Sequence, residues 1–254
     1  MPRMLPAALL AMAVLAGCGA GLEPVRSWSS PTPNATTSGR PNNQALGLAA
    51  RAIVARAAEV TASARSVRVT GVVATDYGDS VALDLRFNST GGGGRIIDDG
   101  QALAVLRVGD DLWVRGDEQF WYRVGGVPAA EAFGSRYLEL PTSGSTFPGL
   151  VLATRLTSLV PRLVHPQGRY ARGEVRRVNG HRAIAIRHRV AGQRAGRAGV
   201  VWVATKGPPY IMRIASWTPG LGREVVDFTG YGRRYGLTPP DPARVADGGA
   251  FTAG

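Results

Sequence analysis

The chain has 254 residues, 44% of them hydrophobic and 19% charged, and its mean hydropathy of −0.02 excludes both a collagen-like chain and an all-polar disordered one. Thirty basic residues against 18 acidic ones give a net charge of +12, and every basic residue except Lys206 is an arginine. The single cysteine excludes an intramolecular disulfide framework and a cysteine-rich zinc site, since each needs at least two thiols.

Arg3 supplies a positive start, Leu5 to Val14 an apolar stretch, and Leu15-Ala16-Gly17 a run of mostly small residues, the layout of a secretory signal peptide. The stretch contains Pro6 and is too short to cross a hydrocarbon core of about 30 Å. Leu15-Ala16-Gly17-Cys18 resembles a bacterial lipobox, which implies cleavage before Cys18 and acylation of its thiol. Residues 1–17 are then a signal peptide, and the mature protein is held at the extracytoplasmic face of the plasma membrane through Cys18. Residues 18–43 are rich in Gly, Ser, Thr, Asn and Pro and have no apolar period, so they read as a flexible tether spanning on average about 25–30 Å. The triplets Asn34-Ala35-Thr36 and Asn88-Ser89-Thr90 match the glycosylation sequon, but a lipobox belongs to bacteria and they are read as chance.

Residues 44–248 read as one domain, and 249–254 as a flexible tail. After Asn42 and Asn43, good N-cap types, Leu46, Ala49, Ala50, Ile53, Ala57, Val60 and Ala64 recur at helical spacing and predict an amphipathic helix over 44–64. From Ser66 the period becomes two: Val67 and Val69, then Val81, Leu83, Leu85 and Phe87 alternating with Ala82, Asp84 and Arg86. The run Gly91 to Gly94 lacks the Gly-Lys-Ser/Thr of a phosphate cradle and is expected to be a hairpin loop. Further strands are expected over 102–108 and 112–115 around Gly109-Asp110-Asp111, and over 170–178 and 181–190 around Asn179-Gly180. Strands over 200–205 and 210–217 flank Gly207-Pro208-Pro209, and 223–229 completes the antiparallel series of about nine to eleven strands. Between the two groups, 129–140 and 150–164 lose the period of two and predict short helices or a lid, the second kinked or restarted at Pro161. A sheet that long curls and buries its concave face beneath the helices, so the fold class expected is α+β: a strongly curved antiparallel half-barrel with helices covering the concave face.

Catalytic and metal patterns are weak. His165, His181 and His188 lack the spacing of a helical zinc pair, no Gly-x-Ser-x-Gly elbow occurs, and Asp98/Asp99 and Asp110/Asp111 sit beside glycine as turn residues do. Neither a metal nor a cofactor is expected, and the chain is read as non-enzymatic. Arg169, Arg172, Arg176, Arg177, Arg182, Arg187, Arg189, Arg194 and Arg197 crowd one region and create a positive field. The signal sequence removes the chain from the cytosol, so anionic headgroups or envelope polymers fit this field, and nucleic acid does not. Arginine replacing lysine at ordinary solvated positions explains the same composition without any partner.

Several stretches carry a family resemblance. They are the lipobox and its tether, Ala64-Arg65-Ser66-Val67-Arg68-Val69-Thr70-Gly71, Leu83-Asp84-Leu85, and Leu106 to Val114 with Phe120-Trp121. Trp202-Val203-Ala204-Thr205 through Pro209-Tyr210, Val226-Asp227-Phe228 through Tyr231-Gly232, and Pro239-Pro240 continue the pattern. With these the chain resembles the actinobacterial LppX/LprG/LprA/LprF-type lipoproteins and their LolA-like relatives over roughly 44–248. The resemblance implies a curved half-barrel capped by helices, an apolar cavity for acyl chains, and a role in carrying or sensing lipid or lipoglycan. Leu83, Leu85, Leu103, Val105, Leu112, Val114, Ile184, Ile186, Trp202 and Phe228 are the candidate lining. Small residues such as Ala183 and Ala185 depart from the pattern and bear on the cavity's size. The rival reading is an interaction lipoprotein with a solid core that docks an envelope protein or acidic polymer through its arginine-rich face.

Overall fold

The computed structural model describes residues 47–74, 80–140, 148–164, 168–190, 198–218 and 222–246; Cys18, the tether, the tail, His165, Arg194 and Arg197 lie outside them. Helix α1 (Ala50–Ala62) is the expected N-terminal helix, beginning later than predicted, with Ala49 at its N-cap and Ile53, Val54, Ala57 and Thr61 buried. Residues 48 and 49 are not helical, and Asn42 and Asn43 are outside the described residues.

A first meander follows: β1 (Val67–Ala74), β2 (Ser80–Phe87), β3 (Gly91–Asp98), β4 (Gln101–Val108) and β5 (Asp111–Arg115). Helix α2 (Glu118–Phe133) then leads to β6 (Tyr137–Leu140), and the short helices α3 (Pro148–Ala153) and α4 (Leu156–Leu163) lead to the second meander. This comprises β7 (Arg169–Val178), β8 (His181–Arg189), β9 (Ala198–Ala204), β10 (Ile211–Thr218) and β11 (Gly222–Thr229). A 3-10 turn, Pro242–Arg244, closes on β12 (Val245–Ala246).

All twelve strands form one sheet in the order β12-β6-β5-β4-β3-β2-β1-β11-β10-β9-β8-β7. Every pairing is antiparallel except that of β12 with β6. The two meanders meet at the β1–β11 pair, and the connection from β6 to β7 carries α3 and α4 from one margin of the sheet to the other. The architecture is thus the expected α+β one, an open curved sheet with helices on its concave side. No helix among the described residues is long and apolar enough to cross a membrane.

Four local expectations are corrected. Gly91 to Gly94 form the first half of β3 and not a loop, because both neighbours hold them extended: Gly92 opposite Phe87 and Arg107, Gly93 opposite Arg86 and Leu106. A methyl at Gly92 would sit 2.4 Å from the Thr154 carbonyl, so the glycine lets the α3–α4 junction lie against the sheet. The stretch read as helical over 129–140 contains the end of α2 and then β6, which is held by β5 through Leu112–Leu140 and Val114–Leu138. Helix α2 starts eleven residues earlier than expected, where Asp117 Oδ1 accepts from Phe120 N at 2.7 Å, and its backbone breaks at Gly125 and Gly126. The helical stretch 150–164 divides at Thr154–Arg155, where the Thr154 hydroxyl donates to the Leu150 carbonyl at 2.8 Å, and α4 runs on through Pro161.

The Asn179-Gly180 turn is as expected, with φ of 50° and 81°, the pair of positive values that a two-residue hairpin requires. Thr61, fully buried on α1, accepts from Ile211 N at 2.9 Å, while the Tyr231 hydroxyl donates to the Ile211 carbonyl at 2.6 Å. These bonds fasten α1 to the start of β10, and burial raises the Tyr231 phenol far above its ordinary range.

Candidate functional site

The pleat of each strand sends alternate side chains to opposite faces. On the concave side Leu83 and Leu85 of β2, Leu103 and Val105 of β4, Leu112 and Val114 of β5, Ile184 and Ile186 of β8, and Phe228 of β11 join one buried apolar cluster. Trp202 is placed on the other face. The register pairs Ile184 with Val203 and Ile186 with Val201, so Val201 and Val203 turn inward and Trp202 lies opposite Ala185. Its indole packs with Val178, Ala183, Ala185, Ala204 and Met212 under the Arg176 guanidinium, 4.2 Å from the ring centroid. The two small alanines therefore make room on the convex side and not in the interior.

The nine concave residues are at most 8% exposed. A side chain lining a water-sized hollow would stand open to it, so the space above these residues is occupied. The occupants are helical: Ile53, Val54 and Ala57 from α1, Phe120, Trp121 and Phe133 from α2, Leu150 from α3, and Leu159 and Val160 from α4. Trp121 is held edge-on to Phe120 at 5.0 Å and tilted to Phe133 at 4.9 Å. The cover is segmented, since α2 is interrupted at Gly125-Gly126 and α3 has only 6 residues.

One end of the concave face is polar. Tyr170 pairs with His188, His188 with Gly199, Gly199 with Ser216, and Ser216 with Glu224, and directly opposed residues share a face. His188 and Ser216 are 5% and 4% exposed, one step along their strands from the inward-facing Ile186 and Ile214. Gly199 gives the imidazole its place, because a methyl there would come within 2.5 Å of His188 Cε1. Arg51 lies 5.6 Å from the Tyr170 ring centroid and donates to the Gly168 carbonyl at 3.3 Å. Burial raises the Tyr170 phenol, with Arg51 opposing. Glu224 Oε1 accepts from Ala74 N at 2.9 Å. Arg172 donates to the Leu48 carbonyl, so the chain enters the domain at this same end.

The sequence reading missed this row because each histidine was weighed singly as a metal ligand. The period that turns Ile184 and Ile186 inward also turns His188 inward. Of the crowded arginines, Arg169, Arg172, Arg176, Arg177, Arg182, Arg187 and Arg189 fall on the β7–β8 hairpin at one margin of the sheet. Two acidic groups on the convex face are already engaged. Arg68 donates twice to Asp84 at 2.8 and 2.9 Å, and Arg213 donates twice to Asp227 at 2.7 and 3.0 Å. Hydrogen bonding from Arg68 lowers the Asp84 carboxyl below its ordinary range, against the upward pull of burial.

No family model and no curated protein matches the chain. Among solved structures it is similar to LprF from Mycobacterium bovis, at 13% identity and a TM-score of 0.49 over 75% of this chain and 96% of that one. It is similar to the Mycobacterium tuberculosis lipoprotein LppX at 14% identity and 0.46, over 74% and 98% of the two chains. A LolA-superfamily protein from Nitrosomonas europaea follows at 13% identity and 0.28, over 76% and 98%.

Proposed function

We propose that the protein is a membrane-anchored, extracytoplasmic lipoprotein that binds the acyl chains of an amphiphile against its concave face, without catalysis. The observation that carries this reading is the polar row Tyr170, His188, Ser216 and Glu224 set beside the buried apolar cluster of that face. An amphiphile is divided in the same way. The polar end is also where the chain enters from its tether, so an anchor at Cys18 turns it toward the bilayer.

Because helix side chains among the described residues cover the nine concave residues, an acyl chain reaches them by exchange with that cover. The exchange is close to balanced. A sixteen-carbon chain gains on the order of 10 kcal/mol at about 0.8 kcal/mol per buried methylene, and re-exposing a large apolar side chain costs about 1.5–3 kcal/mol. Displacing four or five such side chains of the cover therefore offsets most of the gain, and the break at Gly125-Gly126 allows part of α2 to move alone.

The test is to purify the acylated protein from actinobacterial membranes, denature it in organic solvent, and weigh what is released. Stoichiometric lipid, distinct from the acyl groups that stay covalently on Cys18, is the expected result. A lipid-free protein that also fails to take up a fluorescent fatty acid overturns the proposal. The rival reading, a solid-cored lipoprotein docking an envelope protein or acidic polymer, is favoured by the covering of all nine concave residues and survives that outcome.

A further inference from the structure

Arg169 pairs with Arg189 at one end of the β7–β8 ladder and Val178 with His181 at the other. The two ends are separated by the ten residues of β7, about 30 Å at the rise of a strand. The chain enters beside the first end, through Arg172–Leu48 and Arg51–Gly168. At the second end Arg176, Arg177, His181, Arg182 and Lys206 border a basin of about 510 Å³, and no carboxylate lines it.

The construction of this basin is not that of scattered solvated charge. Arg177 lies directly opposite Arg182, a like-charge pairing that Arg169 and Arg189 repeat at the other end, so the basin is set apart by what surrounds the pair and not by the pair itself. Neither Arg177 nor Arg182, nor Arg176 or Lys206, forms an ion pair among the described residues, while nearby Glu174 is taken by Arg187 at 2.6 Å and Asp227 by Arg213 at 2.7 Å. The Arg176 guanidinium lies over the Trp202 ring, itself 3% exposed. The turn beside them is pinned, because Asn179 Nδ2 donates to both Asp227 Oδ1 and the Met212 carbonyl at 2.8 Å. Edge protection alone asks for charge at any spacing along β7. It does not ask for a fixed turn, a guanidinium over an indole and three arginines and a lysine without counter-charge among the described residues.

We infer that this basin binds the phosphate groups of an anionic envelope polymer, a phosphodiester-linked glycopolymer. Guanidinium forks match phosphate oxygens in pairs, and several arginines around one depression can hold consecutive phosphates of a chain. The basin lies at the end of the sheet away from the tether, so the phosphates it meets are not those of the leaflet that holds the anchor. That orientation rests on the anchoring proposed above; the binding of phosphate does not.

The probe is long-chain inorganic polyphosphate, titrated calorimetrically into the full acylated chain in neutral detergent at 50 and 150 mM salt. Arg177→Gln/Arg182→Gln is expected to lose at least ten-fold in affinity and to flatten the salt dependence. Arg169→Gln/Arg189→Gln removes the same charge from the same two strands at the other end and is expected to change affinity less than two-fold. Thermal melts should show the basin variant no less stable than the parent, since it relieves a like-charge pair. Equal losses in both variants would reduce the effect to net charge and overturn the inference, as would no binding by the parent at 150 mM salt. Vesicles of phosphatidylglycerol form the second arm: capture of these that depends on the basin arginines would move the ligand to a lipid headgroup and overturn the polymer assignment. The lipid released from the concave face should be the same in both variants, which separates this result from that of the acyl-binding test.

Discussion

Replacing Gly92 with alanine puts a methyl group at the place where the helical cover rests on the sheet. The new carbon would stand 2.4 Å from the Thr154 carbonyl oxygen and 2.6 Å from Phe87 Cδ1, so backbone on one side and a fully buried ring on the other must retreat. Overpacking of this kind costs about 1–3 kcal/mol. Alanine in a strand recovers roughly 0.5–1 kcal/mol over glycine, which leaves a net loss of about 1 kcal/mol and at most about 2.5 kcal/mol. For a domain of this size each kcal/mol lowers Tm by about 2–4 °C, readable by circular dichroism of the full chain. Gly236→Ala is the control: nothing lies within 4 Å of its added methyl, and it should melt within error of the parent. If Gly92→Ala melts at or above the control, α3 and α4 do not press on β3 as described. The same variant loosens the cover, so under the proposed function it takes up a fluorescent fatty acid faster than the parent.

Two further outcomes test other parts of the molecule. Cys18→Ala should accumulate as an uncleaved precursor without acyl label, seen by gel shift and metabolic labelling with palmitate; normal processing would refute the anchor. Asp84→Asn should cost about 0.5–1 kcal/mol at pH 7, as an exposed ion pair does. Its carboxyl titrates below 3.8 in the folded protein, chiefly through the hydrogen bond from Arg68, so its contribution is complete above 3.8 and is lost as pH falls through the folded value. Melts of parent and variant should therefore differ at pH 7 and draw together as the pH falls through the folded Asp84 titration.

The strands of the concave face were readable wherever the period of two was clean, as in Val81-Ala82-Leu83-Asp84-Leu85, because one face needs apolar residues and the other does not. The phase of β9 was not readable, since Ala198 to Ala204 is apolar on both faces and only its register with β8 sends Trp202 outward. The glycine run in β3 has no side chains to carry a period, so its strand is imposed entirely by β2 and β4. Helix α2 had a readable start in Asp117, but Gly125-Gly126 and Pro128 resemble a helix end, and the structure carries the element past them. The filling of the interior was hidden for another reason. Which helix side chains descend onto the sheet depends on how the β6–β7 connection crosses it, and no local pattern in the sequence encodes that path.

Under the proposed extracytoplasmic placement, the seam between the two meanders has a consequence for export. Residues 68–72 of β1 find their second set of partners in 225–229 of β11, far along the chain. A polypeptide threaded across a membrane from its N-terminus thus presents β1 as an open edge, paired only with β2, while nearly all the remaining strands emerge. Closure of the sheet waits for the last long strand, so the half-translocated protein depends on whatever shields that edge in the meantime.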